Sequence, residues 1–331
     1  MRAAPKRATR AVLVLLIVAS IIAAAQTTHP TVNEALVGDF FPYELFAKLP
    51  MTRMPVPGGQ LSVAIAPGET GLTHEAILTW VKQSVDAVAS YFGRLPDANA
   101  RLLIMPTAGS GISGGVTYGY GGAASRIAIG RNTTQAQLAR DWVLVHELTH
   151  HGFPSVPDDQ HWMEEGMATY VEPIARAQLG QLTAERVWGD LVDGLPKGLP
   201  RDGDEGLDRT HTWGRTYWGG ALFYLLADVE IRRQTGNRRG LQDAFRAIVA
   251  ADGNISCSWP VAKILATGDQ GTGTHVLEDL YARMKDAPAP TDLAELWQRL
   301  GVQAEAGSVR FDDAAPLAAI RRAITAPAHP G

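Results

Sequence analysis

The sequence predicts an α+β fold: a small mixed sheet, a helix carrying a cluster of ionisable side chains, and a helical C-terminal part. Three observations carry this. Residues 142–172, WVLVHELTHHGFPSVPDDQHWMEEGMATYVE, are two segments of helical apolar spacing broken by a Gly/Pro/Asp loop. Residues 101–131 contain a buried-strand pattern, RLLIMP, and then a glycine-rich stretch that reads as two strands joined by a turn. Beyond Thr210, apolar helical patterns follow one another with only Gly/Pro turns between them.

Taken in order, the chain begins with Arg2, Lys6, Arg7 and Arg10 ahead of an apolar run, Ala11 to Ala24, and an A-x-A-like site at Ala23-Ala24-Ala25. Residues 1–25 therefore read as an export signal, and the expected location is periplasmic or extracellular. The run is shorter than the ~20 residues of a membrane span; the alternative is an uncleaved segment that anchors the protein to a membrane. Residues 26–70, rich in Pro and Gly, read as an extended lead-in ending in a short strand. Residues 71–236 are the expected catalytic region. Within it Thr73 to Phe92 repeats apolar residues at helical spacing and stops at Gly93 and Pro96. The glycines of 108–131 lack both G-K-[ST] and a G-x-G-x-x-G leading into a helix, which excludes a phosphate loop. Residues 194–208 have turn composition and suit one wall of a cleft. Residues 237–331 read as a helical subdomain, with helices over 241–249, 275–284 and 293–300 and a loose Ala/Pro-rich tail.

Composition bounds the function. With 46% hydrophobic and 19% charged residues in 331, the chain is an ordinary globular one, and a net charge of −4 leaves no basic excess for nucleic acid. A single cysteine, Cys257, excludes an internal disulfide.

The chemistry lies in 142–172. His146 and His150 are four apart, so on a helix both rings point to one face and can share one metal ion. Leu144, Val145 and Leu148 bury the other side of that helix, and Gly152 and Pro154 end it. Glu147 stands next to a ligand without being one, which suits a general base. A catalytic zinc takes three protein ligands and a water whose pKa falls to about 7. For the third ligand Glu165 is preferred: it opens a second apolar segment, and Gly166 beside it allows two helix backbones to approach closely. His161, expected ahead of that helix, and Glu164, expected to face elsewhere, are set aside. One Zn2+ is the expected cofactor.

H-E-L-T-H followed by W-M-E-E-G-M-A-T-Y-V-E resembles the gluzincin metallopeptidases, especially the aminopeptidase group with H-E-x-x-H and then W-L-x-E-G-F-A-x-Y-x-E. The glycyl aminopeptidase-like family is similar also in a later segment, T-Y-W-G-G-A-L-F-Y-L-L-A-D-V-E-I-R-R. The resemblance covers roughly residues 100 to 250. It implies a zincin, thermolysin-like catalytic domain with zinc at His146, His150 and Glu165 and base catalysis by Glu147. It further implies that Glu172 orients a ligand histidine. Tyr217 would steady the oxyanion, with His211 and Arg215 as rival donors. An edge strand, Val116 to Ser125, would pair with the substrate backbone. The chain departs from the pattern in a shorter loop between His150 and Glu165 and in lacking a G-x-M-E-N segment to hold a substrate amino terminus. The expected function is an exported zinc metallopeptidase acting on a peptide or protein. Two other readings stand beside it: a zinc-bearing binding or scaffold protein of the same fold without turnover, and an amide hydrolase for non-peptide or cell-wall substrates.

Overall fold

The computed structural model describes residues 43–305 and 307–327; the expected export signal, residues 1–25, lies outside them. Five strands form one mixed sheet: β1 (Met51–Val56), β2 (Gly59–Ile65), β3 (Arg101–Thr107), β4 (Ile112–Tyr118) and β5 (Ala124–Gly130), in the order β1-β2-β3-β5-β4. β2, β3 and β5 run parallel, while β1 and β4 pair antiparallel at the two edges. The lead-in segment thus supplies two strands of the sheet, where the sequence suggested one. Gln60 and Leu61 to Ile65 alternate and bury well only as a pair with β1, a signal that Pro55, Pro57 and two glycines obscure.

Side chains alternate across the sheet. On one face Leu102, Ile104, Ile127 and Ile129 pack against helices; on the other Leu103, Met105 and Ala124 meet Leu45 and Phe46. α1 (His74–Phe92) lies on the helical face. The Thr73 hydroxyl accepts from the Ala76 amide at its start, and Gly93, with φ 82°, ends it in the left-handed conformation. Ile77, Trp80, Val81, Val85, Val88 and Phe92, read at helical spacing from the sequence, are all buried.

The central pair is α2 (Val143–Thr149) and α3 (His161–Gln178). Asp141 caps α2, accepting from the amides of Val143 (3.0 Å) and Leu144 (3.1 Å). α3 opens at His161 itself, one turn earlier than the sequence suggested, and runs unbroken through Pro173, a residue type that ordinarily kinks or ends a helix. Met167, Tyr170, Val171, Ile174 and Ala175 are buried around that point, and their packing outweighs the roughly 3 kcal/mol that an internal proline costs. After α4 (Ala184–Gly194), a π-helical turn, Gly214–Gly219, runs directly into α5 (Gly220–Gln234).

The rest is helical: α6 (Leu241–Ala250), α7 (Val261–Thr272), α8 (Val276–Met284), α9 (Leu293–Leu300) and α10 (Ala318–Thr325). α7 was not expected, nor was the order found in the tail, where β6 (Val302–Glu305) and β7 (Ser308–Phe311) pair before α10. α10 is short, but Ile320 and Ile324 bury its apolar stripe, so tertiary contact makes the element. One apolar core runs from Met54 to Ile324, shared by sheet, central helices and C-terminal helices. Among the described residues no helix is long and apolar enough to cross a membrane.

Candidate active site

α2 and α3 meet below the edge of the sheet at β4. His146 and His150 present their rings to one side, centroids 4.9 Å apart. From α3, Glu165 reaches both: its Oε2 is 3.2 Å from His146 Nε2 and 3.7 Å from His150 Nε2. All three are buried, and their ligand atoms lie within 4.8 Å of one another. Two imidazoles and a carboxylate converging in this way fit the donor set of a catalytic zinc.

Glycine makes this approach possible. A Cβ on Gly166 would stand 2.4 Å from the Gly220 Cα, and one on Gly220 would stand 2.4 Å from the Trp162 carbonyl. α3 and α5 therefore cross backbone to backbone one residue after Glu165.

The electrostatics follow from burial. Glu147, buried beside His146, has its carboxyl pushed up to about 7, because desolvation outweighs the charge of His146 and the Thr117 hydrogen bond. Burial lowers His150 to about 3 against the pull of Glu165. Glu165 itself stays well below the usual carboxylate range: burial raises it, but His150, His146 and His161 prevail. His146 is raised, since its hydrogen bond and charge interaction with Glu165 overcome its own desolvation.

Tyr217 sits within the π-helical turn, its ring stacked at 6.5 Å on that of His146. π turns are frequent at functional sites, because the extra residue redirects a side chain. Burial first, then the charges of Glu165 and Glu147, raise its phenol well above the ordinary value, so it is a hydrogen-bond donor at any working pH. The rival donors stand elsewhere. Arg215 is buried in an ion pair with Asp204 (2.7 Å) and donates to the Gly198 carbonyl (2.6 Å), while His211 is exposed near Asp159. Glu172 lies in the same helix as Glu165, and Arg176 donates to it at 2.8 Å; burial raises it and Arg176 opposes. No hydrogen bond joins it to a histidine among the described residues, and His146 Nδ1 has no partner among them.

His161 and Glu164, which the sequence sets aside as ligands, stand beside the three. His161, in the first turn of α3, donates or accepts at 2.9 Å with Glu164 Oε2 through Nδ1, and its Nε2 lies 3.3 Å from Glu165 Oε1, close enough for an ion pair but poorly aligned for a hydrogen bond. Burial works against its charge, but both glutamates outweigh that and push it up to about 10. Its spacing from Glu165, four residues, was a legible signal once the helix start is known. The edge strand also differs. β4 ends at Tyr118, 119–123 form a turn, and Ser125 belongs to the interior strand β5, so the range 116–125 divides between two strands. β4 lies directly over the site: a Cβ on Gly115 would stand 2.4 Å from Glu147 Cγ. Two exposed indoles, which sequence reasoning passed over, flank these rings, Trp142 beside His146 and Trp213 beside Tyr217.

The solved structures this fold matches include an aminopeptidase N family protein from Idiomarina loihiensis, with a TM-score of 0.60 and 17% identity over 77% of this chain and 49% of that one. An M1 zinc metallopeptidase from Deinococcus radiodurans superposes with a TM-score of 0.48 and 15% identity over 73% and 54%. The fold is shared with that aminopeptidase N family structure. At this identity the likeness establishes the fold alone, and the chain spans about half the length of the structures it matches. No family model matches the sequence, and no curated protein sequence matches it.

Proposed function

We propose that the protein is an exported zinc metallopeptidase in which His146, His150 and Glu165 hold the metal and Glu147 is the general base. The observation that carries the reading is the convergence of two imidazoles and a carboxylate, with Glu147 buried alongside and outside that set. A zinc ion, when bound by this set, supplies a Lewis acid and lowers the pKa of a coordinated water. Glu147 takes a proton from the attacking water and returns it to the leaving amine, a task for which a pKa near the working pH is suited. Tyr217 donates its phenol proton in a hydrogen bond to the oxygen on which negative charge develops. The edge strand β4 offers backbone groups to an extended peptide. Glu172, neutralised by Arg176, supports α3 next to the ligand set. The catalytic core is read as thermolysin-like, and the substrate is a peptide or protein.

The experiment pairs metal content with hydrolysis of a broad peptide library, on the parent and on Glu147→Gln. One zinc in both, with cleavage by the parent only, is the expected outcome. Zinc in both with cleavage by neither would favour a binding or scaffold protein instead, and absence of stoichiometric zinc would overturn the site.

A further inference from the structure

Glu147 ends a chain of buried hydrogen bonds that the proposed chemistry has not yet used. Thr117 on β4 and Ser125 on β5 stand directly opposite in the antiparallel pair, so both hydroxyls point to the helical face. Their oxygens are 3.0 Å apart. Thr117 Oγ1 lies 2.7 Å from Glu147 Oε2 and 2.9 Å from the Glu147 carbonyl oxygen. Ser125 Oγ lies 2.8 Å from Nε2 of His151, the residue that follows the second ligand histidine. Ser125 and His151 are fully buried.

Proton counting fixes the direction. With Glu147 ionised, as a base must be, both of its oxygens facing Thr117, Oε2 and the backbone carbonyl, are acceptors, so the single Thr117 proton goes to Glu147. Thr117 must then accept from Ser125, and Ser125 must accept from His151. That requires the His151 tautomer protonated at Nε2. Nδ1, which has no hydrogen-bond partner among the described residues, is then a bare lone pair, and no ring N–H is left unpaired. Every donor in the row points toward Oε2 of Glu147. Oε1 receives no hydrogen bond among the described residues and is the oxygen left for a water proton.

We propose that Thr117, Ser125 and His151 are positioning residues, a one-directional hydrogen-bond chain that locks the rotamer of Glu147 against the edge strand with Oε1 presented to the reacting water. The assignment rests on the hydrolase reading for its kinetic consequence and on geometry alone for its structural one. The chain also ties the orientation of the base to strand β4, the proposed seat of the substrate.

The test uses the full chain, zinc-loaded, as parent, Thr117→Val and Thr117→Ser. Thr117→Val keeps the shape and deletes the hydroxyl; kcat on a cleaved library peptide should fall about tenfold to a hundredfold, with KM and zinc content unchanged. Thr117→Ser should return kcat to within about threefold of the parent, which a loss of packing would not allow. Crystal structures of parent and Thr117→Val give a second readout independent of turnover: Glu147 should leave its rotamer in the valine variant. Parent-like kcat in Thr117→Val, a loss confined to KM, or a serine variant as slow as the valine would overturn the proposal. If the parent cleaves nothing, the peptidase reading fails by itself, and a Glu147 rotamer unmoved in Thr117→Val still refutes the positioning role.

Discussion

The proposed roles of Glu147 and Tyr217 each carry a prediction. In the metal-free protein Glu147 keeps its proton up to about 7, above the ordinary 4.5, because burial disfavours its charge. Between those values the folded state binds more protons than the unfolded one, so this group's contribution to stability is present at low pH and is lost as pH rises through about 7. Glu147→Gln removes that loss. The metal-free variant should melt higher than the metal-free parent at pH 8, by an amount worth up to about 3 kcal/mol, and match it at pH 4. A melting difference that is the same at both pH values would count against the buried-acid reading. Tyr217→Phe keeps the ring on His146 and deletes one donor; kcat should fall about a hundredfold to a thousandfold with zinc content unchanged. Steady-state kinetics with parallel metal analysis checks it, and an unaltered kcat would remove Tyr217 from the chemistry.

At the scale of elements, the site depends on how closely two backbones approach. α3 and α5 cross through Gly166 and Gly220, and no side chain yields there, because the atoms a Cβ would meet at 2.4 Å are backbone. Gly166→Ala should force the helices apart, carrying Glu165 away from His146 and His150. The expected result is a fall in melting temperature worth about 1–3 kcal/mol together with at least tenfold weaker zinc binding, measured by calorimetry. If zinc affinity stayed at the parent value, the glycine contact would be structural only. The same reasoning explains why α3 survives Pro173: a helix buried along most of its length is held by packing, and local propensity is overruled.

For the whole molecule, the C-terminal helices share one core with the sheet and the central helices. Asp228 of α5 shows how they are joined. It accepts from the Tyr170 hydroxyl of α3 (3.0 Å), from Arg232 Nε (2.7 Å) and from the Leu241 amide that opens α6 (2.9 Å). Asp228→Ala leaves a buried guanidinium, a phenol and an amide without their acceptor, which should cost about 3–5 kcal/mol by urea unfolding. Activity and zinc binding should remain in the folded fraction, since Asp228 touches no proposed ligand. A loss below about 1 kcal/mol would mean that the C-terminal helices are held by apolar contact alone.

What the sequence determined by itself was the spacing of the proposed ligands and the periodic elements. H-E-x-x-H on an amphipathic helix places two rings on one face whatever the rest of the fold does, and Gly166 announces a close approach beside Glu165, because both depend on spacing within a single element. The helix over 73–92, capped by Thr73 and stopped by Gly93, was legible for the same reason. Tertiary structure alone decided the rest. The lead-in became two strands of the sheet and the tail became a hairpin and a helix, because short or proline-rich segments take their form from the surface they bury. His161 entered the site when α3 began one turn early, and Thr117, Ser125 and His151 met across 34 residues of sequence by strand register and by the turn after α2. Hydrogen bonds between distant elements leave no periodic trace in a sequence, so the residues that orient the base emerged only when the chain was folded.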